Sequence, residues 1–454
     1  FSFPQRLYWG LSSFLRRLWL PLWFLRLREV DMQQPNTPSA LICADNQDPQ
    51  NYAGTLDSKP EQLRIAVGAD VHLESFNLCA KLLPGFGPQA IQLNNGIVTE
   101  GRTRPSADDI VKFIENAKEL ICTKLGYAPA FSVDVAYEAG CLGYSLYKSL
   151  AKRGVNCVIM APTTMATTSG SKVKTDKLDA RKIADCLLHK QYSKVHVLSD
   201  KDEGVRDFIR MRDDQKELAK TVKQNINSFV ARRGFAFSKT KWTQSHIQWL
   251  EKLEMPTDID RETLDGYLSL LSDLEDRIKR LDARILEFAQ SGDYAEAVGY
   301  LSCIKGISEQ RALSCIVEVG DYKRFDHAPR FAAFLGLVPG EYSSGGKRVA
   351  TGLTKSGNQH LRKELIEAAQ CIVRGAKSAK GLKLKRRQQG KPEHVINYAD
   401  KAVYRLKSKF DHMIRTGKKR NVAIAAVARE LSGFIWGMMN RKCHLDVEAQ
   451  ACAS

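Results

Sequence analysis

Apolar and polar positions between residues 63 and 190 alternate with two different periods, which predicts strands and helices in regular succession. Short apolar stretches bounded by Gly, Pro and polar residues are typical of strands, and apolar residues every three or four positions are typical of helices. The predicted elements are, in chain order, strands over 64–72, 76–83 and 90–98, a helix over 106–125, a strand over 130–140, a helix over 143–153, a strand over 155–162 and a helix over roughly 175–190.

This order of elements is that of a ribonuclease-H-like α/β fold, although many α/β domains share parts of it. We expect the domain over 61–200, after a flexible N-terminal extension over 1–60. The helical pattern of the remaining chain predicts a coiled-coil middle domain over 201–295 and a mostly α-helical domain over 296–440, followed by a tail over 441–454.

A heptad pattern runs through the second half of the middle domain. Apolar residues recur there with alternating spacings of three and four positions, as in the seam of a coiled coil. The seam consists of Leu264, Tyr267, Leu271, Leu274, Ile278, Leu281, Ile285 and Phe288. It pairs either with a second copy of the chain or with the predicted helix over 204–232, and the spacing does not choose between them.

The C-terminal domain begins with two apolar helices around a glycine turn. Residues 301–325 have this pattern, which is typical of a phosphate-holding helix-hairpin-helix and equally of a structural helical hairpin. A final apolar helix over 421–439 is expected to pack on the domain, because it is too short and interrupted to span a membrane. Residues 1–31 are either a non-native extension or a basic amphipathic segment that touches nucleic acid or membrane.

Composition and charge narrow the class of partner. The chain has 454 residues with 69 Lys+Arg against 51 Asp+Glu, and its net charge of +18 favours a polyanionic partner, either nucleic acid or an anionic membrane surface. Residues 374–420 hold 16 Lys+Arg and 3 Asp+Glu, which indicates a polyanion-binding surface. A hydrophobic share of 43% excludes wholesale disorder, and 11 cysteines without a CxxC pair favour a reduced, cytoplasmic protein without a zinc ribbon.

Four acidic residues stand where the predicted fold would bring them together. Asp70 lies in the first strand and Glu138 ends the fourth, while Asp176 and Asp179 share one helix face. Taken singly, each acid has a structural explanation, such as a favourable charge in a helix's first turn. Together in this element order they predict a site for Mg²⁺ or Mn²⁺, ions that promote attack on phosphodiesters. His72 shares a strand face with Asp70, and is either an auxiliary group or a strand-end surface residue.

Cations beside aromatic residues or glycines mark candidate nucleic-acid contacts. The aromatic-rich stretch over 231–242 is typical of single-strand or RNA binding and equally of a helix–helix loop with aromatics in the core. The Gly-rich stretch over 338–358 carries the adjacent Ser343 and Ser344 and several cations, and its residues alone favour a loop that only grips phosphates. The candidate contacts are Arg232, Arg233, Lys347, Arg348, Lys355, Arg386 and Arg387.

Several segments together resemble one known family. GADVH at 68–72, YEAG at 137–140 with VIMAP at 158–162, and KTDKLDARKIADCL at 174–187 resemble the RuvC-like DEDD domain of the insertion-sequence 110 family of transposases. The block over 330–369 resembles the C-terminal transposase domain of the same family, nearest to its 1111 branch. Both halves stand in the family's order, with a helical middle between them.

The resemblance implies a site and a mechanism. A serine of the Gly-rich loop would attack DNA and form a phosphoserine–DNA intermediate; Ser344 directly precedes the glycines, and Ser343 is the alternative. The metal-holding tetrad would be Asp70, Glu138, Asp176 and Asp179. The implied function is RNA-guided recombination of an insertion sequence in the bacterial cytoplasm, at the nucleoid. The implied partners are an element-encoded guide RNA (a bridge or seek RNA), donor and target DNA, and further copies of the chain in dimers that form tetramers.

Two other functions compete with this one. A metal-dependent, structure-specific DNA nuclease that resembles Holliday-junction resolvases needs the four carboxylates and no serine nucleophile. A non-catalytic RNA- or DNA-binding scaffold needs neither, and would show no requirement for Mg²⁺.

Overall fold

The computed structural model describes five ranges of the chain, namely 62–82, 94–165, 175–344, 347–377 and 379–440. The predicted N-terminal extension over 1–60 and the predicted tail over 441–454 lie outside these residues. The predicted domain boundaries within 61–440 stay predictions.

The first part of the described chain is a five-stranded mixed sheet with helices on both faces. Its strands are β1 (Gln62–Val71), β2 (Phe76–Leu82), β3 (Ile97–Thr103), β4 (Ala130–Glu138) and β5 (Asn156–Met160). Its helices are α1 (Ala107–Leu125), α2 (Ser145–Ala151) and α3 (Asp176–Leu188). The sheet order is β3-β2-β1-β4-β5, with β1 antiparallel to β2 and parallel to β4. Element order and topology are compatible with the predicted ribonuclease-H-like fold.

Successive side chains of β1 point to opposite faces of the sheet and enter two separate cores. Ile65 and Val67 pack in the core that α1 and α2 cover. Ala66 packs in a smaller core with Ile183 and Leu187 of α3. The near-continuous apolar run of β1 follows from its central place in the sheet, because both of its faces are buried.

The third strand is not where its sequence pattern placed it. Of the strand predicted over 90–98, residues 90–93 lie outside the described residues, Asn94–Gly96 form a 3-10 turn, and only 97–98 belong to β3, whose pairing with β2 runs to Thr103. This strand lies at the edge of the sheet and is rich in polar residues such as Glu100 and Arg102. An edge strand is exposed along one side and needs no apolar run, so the pattern of apolar residues does not reveal β3.

The rest of the described chain is mostly helical, with one two-stranded hairpin. The first group of helices is α4 (Asp200–Arg232), α5 (Gln244–Glu251), α6 (Asp258–Gln290), α7 (Gly292–Leu301), α8 (Glu309–Val319) and α9 (Ala328–Phe334). The antiparallel hairpin is β6 (Pro339–Ser344) and β7 (Lys347–Leu353). The last helices are α10 (Gln359–Ile372), α11 (Leu382–Gln388), α12 (Glu393–Arg415) and α13 (Arg420–Met439).

The heptad seam lies on α6 and packs against α4 of the same chain. Leu264, Leu271 and Leu274 are buried in one cluster with residues of α4 such as Ile226 and Phe229. Further along α6, Ile285 enters the C-terminal core together with residues from the start of α4. The two long helices therefore form an intramolecular hairpin, which is one of the two arrangements that the spacing allowed.

The predicted pair of helices around a glycine turn is present as α7, a turn and α8, but the first helix lies earlier than predicted, because α7 ends at Leu301. Gly306 in this turn has φ of +89°, and a Cβ there would lie 2.6 Å from the carbonyl oxygen of Ala368 in α10. Glycine is therefore required at the turn both by its backbone conformation and by close packing. The inner side of the turn faces α10.

The apolar helix α13 belongs to the C-terminal core, as its sequence predicted. Ala423, Val427 and Leu431 are fully buried there, and the indole Nε1 of Trp436 donates a hydrogen bond to the carbonyl oxygen of Phe325 at 3.0 Å. Among the described residues, α13 is also the one helix long and apolar enough to cross a membrane, with 56% of its most apolar window buried inside the protein. Such burial is usual for the core helix of a globular domain.

Candidate active site at the ends of the central strands

Asp70 and Glu138 lie side by side because they stand at the carboxyl ends of two neighbouring parallel strands. Ala69 of β1 pairs with Tyr137 of β4, and each acid follows directly after its paired residue. The phenol of Tyr137 donates a hydrogen bond to the carbonyl oxygen of Gly143 at 3.0 Å and accepts one from the amide of Tyr147 at 3.2 Å. These bonds hold the turn that follows Glu138.

The other two acids are supplied by the first turn of α3. The side chain of Thr175 caps this helix by accepting a hydrogen bond from the amide of Leu178, and Asp176 and Asp179 follow within the first turn. The favourable interaction of acids with a helix N-terminus, which offered a structural explanation for both residues, therefore applies here. It does not exclude a second role, because the same turn points at the strand ends.

A glycine lets α3 lie directly on β1. A Cβ at Gly68 would be 2.1 Å from the carbonyl oxygen of Ala180 and 2.4 Å from the amide nitrogen of Ala184. No side chain fits between this strand and this helix, so the backbones touch. Because Gly68 is two residues before Asp70, this contact fixes the distance between α3 and β1 close to the candidate site.

Ion pairs hold α3 against strands β2 and β3. Glu100 on β3 accepts hydrogen bonds from the guanidinium of Arg181, and the ammonium of Lys177 lies 2.8 Å from its Oε2. These partners lower the pKa of Glu100 to about 2. On the same helix, Asp185 accepts a hydrogen bond from the buried ammonium of Lys81 at 2.6 Å. The helix that carries two of the acids is thus held by charges on two strands.

The structure brings the four predicted acids together in one pocket. A cavity of about 240 Å³ is lined by Asp70, Val71, His72, Glu138, Ala139, Gly140, Asp176 and Asp179. None of the described residues that line it is a lysine or an arginine. An acidic pocket of this kind attracts cations, and its carboxylate oxygens are the ligands that hard divalent cations take.

The electrostatics of Asp70 reflect this crowding. Burial raises the pKa of its carboxyl, His72 lowers it, and the nearby carboxylates of Asp176 and Asp179 raise it again, so the net direction is upward. The Nε2 of His72 lies 3.1 Å from Oδ2 of Asp70 and 4.0 Å from Oδ1 of Asp176. The sequence left open whether His72 is an auxiliary group of the site or a strand-end surface residue. The structure places its ring beside the acids.

The two candidate nucleophiles lie at the end of the β6–β7 hairpin. In its register Ser343 pairs with Arg348 and Ser344 with Lys347, so each serine stands opposite a cation in the backbone. The Gly-rich stretch, predicted as a loop, is thus partly strand. The side chains of residues 342–348 lie outside the description. Among the described residues, the acidic pocket is lined by the sheet domain alone, so no described side chain of the hairpin reaches it.

The aromatic-rich stretch over 231–242 packs onto the middle domain. The ring of Phe237 lies 4.7 Å from that of His246 and 5.2 Å from that of Trp249, measured between centroids. The guanidinium of Arg233 binds Asp260 and lies over the ring of Phe229. These contacts favour the interpretation in which the aromatic residues belong to the core. Arg232, beside them, is exposed.

The remaining candidate contacts differ in how far they reach solvent. Arg386 on α11 is exposed, whereas its neighbour Arg387 is half-buried and donates a hydrogen bond from Nε to the carbonyl oxygen of Ser302 at 3.0 Å. Burial lowers the pKa of Arg387. Lys355 is exposed and has φ of +56° just after the hairpin. Arg386 and Lys355 are therefore free to meet a phosphate, while Arg387 holds the fold.

Sequence models of two transposase groups match this chain. Residues 102–232 match the sequence model of the DEDD transposases of the IS110 type, and residues 299–383 match that of the transposase IS116/IS110/IS902 family. The transposase for insertion sequence element IS1533 of Leptospira borgpetersenii is 30% identical over 372 residues, which cover 78% of this chain and 98% of that protein. This chain belongs to the IS110 family of transposases.

Membership of the IS110 family makes the protein a DNA transposase, and it confirms the family resemblance of the sequence. A second relative, the transposase for insertion sequence element IS1111A of Coxiella burnetii, is 25% identical over 306 residues, which cover 65% of this chain and 74% of that protein. The DEDD transposases of the IS110 type imply a divalent metal cation. The two matched regions include Glu138, Asp176, Asp179 and both serines, whereas Asp70 precedes the first of them.

Proposed function

We propose that this transposase cleaves and rejoins DNA strands with Asp70, Glu138, Asp176 and Asp179 as its metal-holding residues and Mg²⁺ or Mn²⁺ as the cation. The observation that carries the proposal is the convergence of the four carboxylates, from two strand ends and one helix, on a single pocket. The family supports it, because DNA strand transfer needs charge stabilisation on a phosphate.

The donor set fits such a cation. Four carboxylates offer more oxygen ligands than one ion takes, and the pKa of Asp70 is raised by burial and also by neighbouring acids whose charge a cation would neutralise. When bound, divalent cations at a site of this kind neutralise charge on the scissile phosphate and activate the attacking hydroxyl. The role of the four residues is to hold their carboxyl groups at fixed positions beside the DNA.

We further propose Ser344 as the nucleophile, with Ser343 as the alternative. Its Oγ attacks phosphorus, and the Oγ–P bond forms as the bond from phosphorus to one DNA ester oxygen breaks. The serine proton passes through solvent to the released strand end, which leaves as a hydroxyl. A second strand's hydroxyl later attacks the phosphoserine, which restores the DNA backbone and the serine. Support comes from the family match over this hairpin and from the cations that pair with both serines in the backbone register.

The partners follow from the family rather than from the described contacts. We propose an element-encoded guide RNA that selects donor and target DNA, and an assembly of dimers into tetramers in the bacterial cytoplasm. In such an assembly, the hairpin of one copy would complete the acidic pocket of another. This would explain why the pocket is lined by the sheet domain alone among the residues that the structure describes.

That same observation favours one competing function. A metal-dependent nuclease that resembles Holliday-junction resolvases would need the pocket and no serine, and water would be the attacking group. The two functions differ in the product, since only the transposase links DNA covalently to protein.

Single carboxamide substitutions test the metal-holding role. Each of four variants should reduce Mg²⁺-dependent cleavage of element-end DNA by at least about 100-fold, because each removes a charged ligand. The variants are Asp70→Asn, Glu138→Gln, Asp176→Asn and Asp179→Asn. Binding of DNA and RNA, measured by gel shift, should be unchanged.

Glu119→Gln is the matched control, because this exposed acid of α1 lies outside the pocket and its loss should leave cleavage unchanged. Full cleavage in all four site variants would contradict the proposed site.

A further inference from the structure

Among the described residues that line the acidic pocket, His72 is the one ionisable side chain that is not a carboxylate. His72 follows the last residue of β1, and its ring lies among the acids with 53% of its side chain exposed. Its position is set by the backbone, because its amide donates a hydrogen bond to the carbonyl oxygen of Ser75 at 3.1 Å. The hydroxyl of Ser75 in turn accepts a hydrogen bond from Nε of Arg102 on β3 at 2.9 Å. The tight turn between β1 and β2 thus presents the imidazole to the pocket.

The spacing of three donor atoms matches the ligand shell of a small cation. Nε2 of His72 lies 3.1 Å from Oδ2 of Asp70 and 4.0 Å from Oδ1 of Asp176. The ligand atoms of the three residues all lie within 4.8 Å of one another. An octahedral ion with ligands at about 2.1 Å places adjacent donors roughly 3 Å apart and opposite donors roughly 4 Å apart. The imidazole nitrogen therefore lies where a ligand would lie.

We infer that His72 is a nitrogen ligand of the cation that Asp70 and Asp176 hold, and that it makes the site selective for Mn²⁺ over Mg²⁺. The inference rests on the proposed metal-holding role of the carboxylates and adds the identity of the preferred ion. Mg²⁺ takes oxygen ligands almost exclusively, whereas imidazole binds transition metals well. A site with one imidazole among carboxylates gains affinity for Mn²⁺ and gains none for Mg²⁺.

The competing explanation is that His72 only hydrogen-bonds the carboxylate of Asp70. In that case its loss would disturb the orientation of Asp70 and would weaken Mg²⁺ and Mn²⁺ binding to the same degree. The ratio of the two affinities therefore separates a ligand from a positioning residue.

The experiment measures metal binding to the full chain without DNA or turnover. Titration calorimetry with MnCl₂ and with MgCl₂ gives the affinity ratio for the wild type, for His72→Ala and for His189→Ala. His189 is the matched control, because it is an exposed histidine on the far end of α3. We expect His72→Ala to weaken Mn²⁺ binding by about 10-fold or more and Mg²⁺ binding by less than about twofold. His189→Ala should change neither.

Pulsed electron paramagnetic resonance of the Mn²⁺-loaded protein gives a second, direct readout. A coordinated imidazole adds a ¹⁴N modulation to the Mn²⁺ echo, which should be present in the wild type and in His189→Ala and lost in His72→Ala. An unchanged affinity ratio, or persistence of the ¹⁴N modulation in His72→Ala, would overturn the inference and leave the carboxylate site standing. Absence of Mn²⁺ binding to the wild type would instead count against the carboxylate site itself.

Discussion

Asp70 sits among like charges, and this has a consequence for stability. Its half-buried carboxyl is destabilised as an anion by burial and by Asp176 and Asp179, and only His72 opposes them. The pocket therefore stores electrostatic repulsion that a bound cation would relieve. Residues gathered for function in this way commonly reduce the stability of the empty protein.

A cation should accordingly stabilise the fold. At about 100 times its dissociation constant, MgCl₂ or MnCl₂ should add about 2.7 kcal/mol to the free energy of unfolding, seen as a rise in Tm by calorimetry. Asp70→Asn should unfold at the same or a higher temperature without metal, and should lose most of the rise. An equal rise in Asp70→Asn would show that the stabilising ion binds elsewhere.

Glu100 shows the opposite behaviour, because its partners are cations. Its pKa in the folded protein, about 2, lies below the ordinary value of 4.5. A depressed carboxyl pKa contributes stability that is fully present above the unfolded value and is lost as the pH falls towards the folded value. The contribution of Glu100 should thus disappear between about pH 4.5 and pH 2.

Glu100→Gln tests this. The variant should be less stable than the wild type at pH 7 by about 1–2 kcal/mol, since Arg181 and Lys177 are partly exposed and solvent weakens the pairs. The difference, measured by urea denaturation, should shrink as the pH is lowered through 4. A difference that stays constant from pH 7 to pH 3 would show that the ion pairs contribute nothing.

At the scale of elements, the site depends on how α3 lies on the sheet. The helix and both of its acids were predictable from the sequence, because helical periodicity and two aspartates three residues apart are local features. The contact at Gly68 was not predictable, since a glycine in a strand is compatible with many causes. The edge strand β3 was misplaced for a similar reason, and the serine hairpin was predicted only as a non-helical stretch. The seam on α6 was found, but its partner could not be, because both arrangements need the same spacing.

Gly68→Ala tests the docking of α3. The added methyl group would overlap the backbone of Ala180 and Ala184, so α3 must move away from β1. We expect a loss of stability of about 1–3 kcal/mol and a loss of strand cleavage larger than that stability change explains, because Asp176 and Asp179 move with the helix.

Gly266→Ala is the control, because no atom lies within 4 Å of a Cβ at this position in α6. Equal cleavage by the wild type and Gly68→Ala at a temperature where both are folded would refute this account of the site.

At the scale of the whole molecule, charge is distributed unevenly. The net charge of +18 was evident from the sequence, but the structure divides the cations into two classes. Some hold the fold, such as Arg405 and Lys409, which both bind Glu430 on α13. Others, such as Lys383 and Lys385 on α11, are exposed. Composition alone cannot make this division, because it depends on which acids the fold brings near.

The exposed cations of α11 should contribute to nucleic-acid affinity. Replacement of Lys383, Lys385 and Arg386 by alanine should reduce the slope of log affinity against log salt concentration by about 2–3, because each lost phosphate contact removes roughly 0.7–0.9. Fluorescence anisotropy with labelled DNA and RNA over a salt series measures the slope. Lys112→Ala with Lys124→Ala on α1 is the control, and an equal slope in both variants would remove α11 from the interface.

In the proposed mechanism, the carboxylate pocket and a serine act together on one phosphate. The direct test is incubation of the protein and the proposed guide RNA with end-labelled, nicked element DNA and Mg²⁺ or Mn²⁺, followed by denaturing electrophoresis. We expect a labelled protein band that is absent without metal, absent in Asp70→Asn and absent in Ser344→Ala. If Ser344→Ala still forms the band and Ser343→Ala does not, Ser343 is the nucleophile. Cleaved DNA with no label on the protein would rule out the serine mechanism and identify a hydrolytic nuclease.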